Sequence, residues 1–193
     1  MRYFDFGESD TVRAIYAFDG PTWEDKEVPP SRSEITVVVR SGPEMIARPW
    51  QQAWRRDLGS VTTLEAPWHG YSLVELVGDA VLVAVGSELV AFAAQTGEEV
   101  WRTLLGPTPI CELLVFGKTI VVRSEYPVKG DAVHLVGVEY GGAVLWEAKD
   151  PKGSVFANPL VRNGAFFDVT TFNGTKYTVE PNTGELTMKG WTK

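Results

Sequence analysis

The stretch that comes nearest to a nucleotide-binding motif is FGKTIVV, Phe116 to Val122, which contains Gly-Lys-Thr. In a phosphate-binding loop a second glycine lies five residues earlier and a helix follows, because backbone N–H groups must surround the phosphates. Position 112 is instead Glu, and a valine-rich strand pattern follows. The sequence therefore predicts a strand here and no phosphate site.

The sequence supports neither a metal site nor a catalytic nucleophile any better. His69 and His134 are far apart, no cysteine or aspartate spacing accompanies them, and His134 alternates with apolar residues as in a strand. No Gly-x-Ser-x-Gly elbow is present. We expect no cofactor and no metal. A catalytic carboxylate pair among the 25 acidic residues stays open, since only a fold can bring two together.

The candidate binding residues lie in two irregular segments. The first, about 19–34, is proline-rich and charged, and the second, 66–71, reads APWHGY. Recognition residues are often placed on such loops, and a tryptophan beside acids suits a basic protein partner. The alternative is that both loops pack over the core. The candidates are Trp23, Glu24, Asp25, Glu27, Trp68, His69 and Tyr71.

Composition limits the classes of partner and the cellular compartments that are expected for this chain. A net charge of -7 opposes the phosphate neutralisation that nucleic-acid binding requires. The single Cys111 cannot form an internal disulfide, and the first residues lack the apolar run of a signal peptide. No apolar stretch is long enough to span a membrane. We therefore predict a cytoplasmic protein that binds neither nucleic acid nor membrane.

The elements that must position these loops form a repeat. Trp54, Trp101 and Trp146 are 47 and 45 residues apart. A glycine lies four residues before Trp101 and before Trp146, and Gly184 stands at the same distance before Met188. Repeats of this length are typical of propeller blades. Trp101 and Trp146 should both face, and pack against, the neighbouring blade.

The clearest copy runs from Pro159 to Met188, where four strand-like pieces are separated by NG, FNGT and PNTG. We predict an all-β fold, a small propeller of about four four-stranded blades, as one domain over 1–193 with repeats ending near 54, 101, 146 and 188. A β-sandwich is the alternative, but it has no reason to repeat the Gly-x-x-x-Trp unit. We also predict that Met1 to Phe18 adds a strand to the C-terminal sheet and closes the ring.

The segment Glu88 to Arg102, ELVAFAAQTGEEVWR, resembles the repeat of the pyrroloquinoline-quinone-type (quinoprotein-like) propellers, in which a Thr-Gly turn precedes a strand ending in Trp. The resemblance extends over Ser72 to Met188 and implies that the tryptophans dock neighbouring blades. Enzymes of that superfamily have larger rings and often a vicinal cysteine pair. One cysteine and room for about four blades indicate a small, non-enzymatic member.

These observations favour a non-enzymatic protein-binding module. A narrower hypothesis is a bacterial immunity-type inhibitor of a toxin, which small size and acidity allow. The alternative is a small-ligand-binding or carbohydrate-processing propeller enzyme, which would need a polar pocket at the ring axis or between blades.

Overall fold

The computed structural model describes residues 2–19, 31–40, 49–61, 72–124, 135–157 and 159–191. These residues form four antiparallel four-stranded sheets, numbered I to IV in chain order, and none of them lies in a helix. Within each sheet the strands pair in sequence order, as a meander. The predicted all-β fold with four four-stranded blades is confirmed. In the part of the chain described, no helix is long and apolar enough to cross a membrane.

The strands of sheet I are β1 (Arg2–Glu8), β2 (Val12–Asp19), β3 (Ser31–Val39) and β4 (Gln51–Val61). Those of sheet II are β5 (Val74–Val77), β6 (Ala80–Val85), β7 (Glu88–Ala93) and β8 (Glu99–Leu104). Sheet III contains β9 (Ile110–Phe116), β10 (Thr119–Ser124), β11 (Leu135–Glu139) and β12 (Val144–Ala148). Sheet IV contains β13 (Val161–Asn163), β14 (Phe166–Thr170), β15 (Thr175–Val179) and β16 (Leu186–Trp191).

Burial differs between the inner and the outer sheets. Every residue of β6, AVLVAV, is buried, because sheet II is covered on both faces. In β3 of sheet I, Ile35 and Val37 are buried while Glu34 and Thr36 are partly exposed. Continuous apolar runs therefore mark an inner blade, and alternation marks a blade with one open face.

A tryptophan joins each sheet to the next. The indole Nε1 of Trp54 donates to the Ala94 carbonyl (2.8 Å), that of Trp101 to Tyr140 (2.9 Å) and that of Trp146 to Pro181 (2.7 Å). We call this arrangement the tryptophan contact. The prediction that Trp101 and Trp146 pack against the neighbouring blade is confirmed.

The turn glycines make the tryptophan contact possible. A Cβ on Gly97 would lie 2.5 Å from the Trp54 ring, and one on Gly184 would lie 2.5 Å from the Trp146 ring. Both glycines also have a φ of +71°, a conformation that side-chain-bearing residues rarely adopt. The repeated glycine thus serves both the turn and the contact between blades.

Met188 occupies the tryptophan position of sheet IV but faces differently. In sheets II and III the extra, unpaired residue of the fourth strand directly precedes the tryptophan, whereas in sheet IV it is Lys189, directly after Met188. A one-residue change of register turns a side chain to the other face of a sheet. Met188 is accordingly half exposed, and sequence spacing alone does not reveal this reversal.

The prediction that Met1 to Phe18 adds a strand to the C-terminal sheet is wrong. β1 pairs with β2, and β2 pairs with β3, while all four strands of sheet IV come from 161–191. The turn of three residues between β1 and β2 closes a local hairpin, which costs less chain entropy than pairing across the whole chain.

The structure also changes the predicted bounds of the first irregular segment. The segment about 19–34, predicted as an irregular insertion, begins within β2 and ends within β3. β1 and β2 therefore take the first two places in the sheet.

Candidate functional site

Each blade has two ends. At the tryptophan end, a turn joins the third and fourth strands, and the tryptophan contacts are located there. At the crossover end, the second and third strands are joined and the chain passes to the next sheet. The predicted loop 19–34 connects β2 to β3, and the predicted loop 66–71 lies between β4 and β5. The strand ends that flank both loops therefore belong to the crossover end.

The predicted binding residues themselves lie outside the described residues, and their role stays a prediction. They are Trp23, Glu24, Asp25, Glu27, Trp68, His69 and Tyr71. His134, predicted as a strand residue, is also outside them.

Two exposed aromatic side chains lie at the crossover end of sheet IV. Phe172, in the turn between β14 and β15, is 79% exposed, and Trp191, at the end of β16, is 60% exposed. Trp191 is opposite Thr175 in the sheet, and its Nε1 donates to the carbonyl of Asn173 (2.6 Å). This hydrogen bond ties the end of β16 to the turn that carries Phe172.

The turn itself is held by side-chain hydrogen bonds. Oδ1 of Asn173 accepts from the Thr171 hydroxyl (2.5 Å), from the Thr175 hydroxyl (3.0 Å) and from the Thr175 backbone N–H (3.2 Å). The N–H of Gly174 donates to the Thr171 carbonyl (2.9 Å). Phe172 is thus presented on an ordered turn, so binding a partner would cost little additional ordering of the backbone.

The chain segment before sheet IV supports the turn from behind. The N–H of Phe172 donates to the Val155 carbonyl (2.8 Å). In the same segment the buried Asp150 accepts from the Tyr177 hydroxyl (2.7 Å) and from the Ser154 N–H (2.8 Å). Burial, together with this hydrogen bond and the Asp150 charge, raises the pKa of Tyr177 to about 12.

Exposed lysines lie on the same strands and in the supporting segment. Lys176 is opposite Gly190 in the sheet, next to Lys189, and both lysines are exposed. The exposed Lys149 and Lys152 lie in the supporting segment. The exposed Glu185 lies in the turn between β15 and β16, at the other end of the sheet. We call Phe172, Trp191 and Lys189, which lies two residues before Trp191 on β16, the aromatic–lysine patch.

A buried ion pair lies between sheets III and IV. Nε of Arg123 is 2.8 Å from Glu112 Oε2, and the other Glu112 oxygen accepts from the Leu160 N–H (2.9 Å). Burial raises the pKa of Glu112, against the opposing effect of the Arg123 charge. Because both side chains are almost fully buried, the pair joins two sheets and is closed to a substrate.

Among the described residues, the exposed aromatic pair is the feature best suited to binding. Within the described residues, no group of three or more His, Cys, Asp and Glu side chains could hold a metal ion. The exposed aliphatic side chains Val100 and Leu104 share β8 with the ion-paired Arg102. Scattered exposure of this kind is ordinary on protein surfaces. The aromatic–lysine patch is the stronger candidate because its aromatic residues are tied together.

Sequence reasoning missed the patch, although two signals point to it. The FNG stretch at 172–174 places a large apolar residue in a turn, where polar residues are usual. Trp191 lies seven residues after Gly184, off the four-residue spacing of the docking tryptophans. Trp191 therefore does not belong to the series of docking tryptophans.

A family model described as "Outer membrane protein assembly factor BamB" matches residues 11–193 of the chain. The BamB protein of Burkholderia pseudomallei (strain K96243) is 32% identical over 136 residues, which are 70% of this chain and 32% of that relative. The chain thus spans about a third of the curated relative it matches.

Solved propeller structures share the fold at low identity. BamB from Moraxella catarrhalis aligns with a TM-score of 0.54 and 14% identity, over 89% of this chain and 49% of that one. A europium-containing methanol dehydrogenase aligns with a TM-score of 0.62 and 10% identity, over 90% of this chain and 39% of that one. These alignments confirm the propeller-type fold, and the family match over residues 11–193 confirms the resemblance to the quinoprotein-like repeat.

Proposed function

The chain belongs to the BamB family of propellers with quinoprotein-like repeats, and from that membership we propose that it is a protein-binding scaffold in a protein assembly. The single observation that carries the proposal is the exposed pair Phe172 and Trp191 on a hydrogen-bonded turn. The aromatic–lysine patch would be the centre of its interface.

Physical chemistry supports this use of the pair. Tryptophan is enriched among the residues that dominate binding energies, and such residues act best when they are already held in place. Phe172 and Trp191 lie at the crossover end, as do the strands that flank the predicted loops 19–34 and 66–71. One partner could therefore contact the patch and those loops together.

Photo-crosslinking in the native cell tests the proposal. A photoreactive phenylalanine analogue at position 172 should crosslink to one specific protein, and Trp191→Ala should abolish that crosslink. The matched control is the same analogue at Phe166, which is 44% exposed on β14 at the other end of the sheet. Identical products from both positions, or an intact crosslink in Trp191→Ala, would contradict the proposal.

The narrower proposal of an immunity-type inhibitor depends on the identity of that partner. A net charge of -7 supports a basic partner at the acidic loop 19–34, because opposite charges speed association. A crosslinked toxin whose activity the chain inhibits would support it, whereas a component of an assembly machine would exclude it. Cell fractionation tests the proposed cytoplasmic location in the same material.

A further inference from the structure

We infer that a second copy of this chain docks on the face of sheet IV that is turned away from sheet III, so that two copies close one ring. The inference is independent of the proposed function, because it rests on the faces of sheets I and IV and not on the aromatic–lysine patch. One cluster of buried apolar side chains joins sheets I, II and III, and a second joins sheets III and IV. Among the described residues, neither cluster joins sheet IV to sheet I.

The first strands of the sheets show what is missing beside sheet IV. β5 packs against β1 and β2, and β9 packs against β5 and β6, so in both cases the first strand of a sheet covers the first two strands of the sheet before it. β5 and β9 contain no exposed residue, and β6 and β10 are buried throughout. In sheet IV, by contrast, all three residues of β13 are exposed, and β14 begins with an exposed residue. Among the described strands, none covers β13 and β14 in this way.

Two large apolar side chains lie on the uncovered face of sheet IV. Phe167 and Val169 are buried in the cluster shared with sheet III. By alternation along β14, Phe166 and Asp168 therefore face away from sheet III, and Val161, opposite Asp168, shares their face. Val161 is 57% exposed and Phe166 is 44% exposed, so a covering sheet would remove both from water. We call the face with Val161, Phe166 and Asp168 the open face of sheet IV.

The carboxylate of the open face already has partners within sheet IV. Asp168 accepts from the Thr178 hydroxyl (2.6 Å) and from the side-chain amide of Asn163 (3.0 Å). A sheet docked on this face would therefore cover a carboxylate that keeps two hydrogen bonds, which avoids the cost of an unsatisfied acceptor.

Sheet I of a second copy is the occupant that fits this face. Ala14 and Tyr16 are buried in the cluster shared with sheet II, so Ile15 between them faces the other way, where it is partly exposed. Arg13, two residues from Ile15 on the same face, is ion-paired with Glu8 (2.6 Å) and can be covered with its charge compensated. Each junction within the chain joins one sheet to the preceding face of the next sheet, and the unmatched faces of sheets IV and I are one of each kind.

Two copies related by a two-fold axis would match both faces at once. Since each copy has four sheets, the ring would contain eight. This chain covers 49% of the BamB chain from Moraxella catarrhalis, so two copies have about the length of that propeller. A closed ring has no unmatched face, and assembly therefore stops at the dimer.

Sedimentation of the purified chain tests the inference. We expect a concentration-dependent dimer and no larger species. Val161→Lys/Phe166→Lys should weaken the dimer by about tenfold or more, because two charged groups would be buried in the junction. The matched control is Val100→Lys, since Val100 is 59% exposed on β8, and it should change the dimer affinity by less than about twofold. Circular dichroism should show the native fold in each variant, because all three positions are exposed.

Photo-crosslinking of the purified protein locates the junction. A photoreactive phenylalanine analogue at position 166 should give a covalent dimer in which the crosslink joins sheet IV of one copy to sheet I of the other. A monomer at all concentrations, a dimer that the double substitution leaves intact, a series of larger oligomers, or a crosslink between two copies of sheet IV would each overturn the inference. The proposed function would survive any of these results, because it depends on a partner captured from position 172.

Discussion

The junction between sheets I and II and the junction between sheets III and IV share the tryptophan contact but differ beneath it. Trp54 packs on Phe92, with ring centroids 5.8 Å apart, within a cluster of apolar side chains. Near Trp146 the cluster is also apolar, but the ion pair of Glu112 and Arg123 is buried beside it. The repeat thus determines where neighbouring blades contact each other, but it does not determine which side chains fill the space between them.

The polar junction also fixes how sheet IV is placed. The Thr119 hydroxyl donates to Asn182 Oδ1 (2.9 Å), and the Arg162 guanidinium lies 4.1 Å from the centre of the Phe116 ring. Apolar burial is non-directional, whereas a hydrogen bond forms only when donor and acceptor are correctly oriented. Polar contacts therefore hold the blade that carries the aromatic–lysine patch in a defined orientation.

The largest effect should come from removing a tryptophan contact at either junction. Trp54→Ala and Trp146→Ala should each lower the free energy of unfolding by about 3 to 5 kcal/mol, because each leaves a cavity and an unpaired carbonyl. Urea unfolding measures this loss. A loss below about 1 kcal/mol for both would mean that the contact does not hold the blades together.

The second prediction separates the junctions. Arg123→Met should cost roughly 3 kcal/mol, because it leaves the buried Glu112 without its cation. Adding Glu112→Leu to that variant should restore most of the lost stability, since an apolar pair of similar size can replace a buried ion pair. A double variant no more stable than Arg123→Met would show that the hydrogen bond from Leu160 to Glu112 matters more than the charges.

A smaller effect is expected at the buried carboxylate behind the patch. Tyr177→Phe removes a hydrogen bond to Asp150 and should cost about 1 to 3 kcal/mol in urea unfolding. The pKa of Tyr177 is raised from 10.0 to about 12, so the folded protein keeps this proton longer than the unfolded chain. The advantage of the native chain over Tyr177→Phe should be complete below pH 10 and decline between pH 10 and 12.

Glu112 should give the polar junction its own pH dependence. Its pKa is raised above 4.5 by burial, so its contribution to stability is complete below pH 4.5 and is lost as the pH rises through the raised pKa. The free energy of unfolding of the native chain, relative to Glu112→Gln, should therefore fall with increasing pH. A difference that rises with pH would mean that the attraction of Arg123 outweighs burial.

The smallest effect on stability should come from Trp191→Ala. Its ring is 60% exposed, so the loss should be below about 1 kcal/mol. The same substitution should abolish partner crosslinking from position 172. Instability as large as that of Trp146→Ala would mean that Trp191 is a structural residue and that the proposed interface is wrong.

Much of the fold could be predicted because the repeat is a local signal. A glycine with positive φ and a tryptophan four residues later together determine a turn and its contact, as at Gly97 and Trp101. The place of β1 and β2 could not be predicted this way, because sheet I has no glycine four residues before Trp54; that position is Trp50. The direction of Met188 depends on a one-residue change of register, which residue type does not show.

The sequence by itself determined the strands, the turns and the tryptophans that join the blades, since each depends on residues close together along the chain. The tertiary structure decided the candidate site. Phe172 and Trp191 become neighbours only when β14, β15 and β16 pair. A binding surface is formed by side chains from several strands, and the pairing that assembles them is a property of the folded sheet.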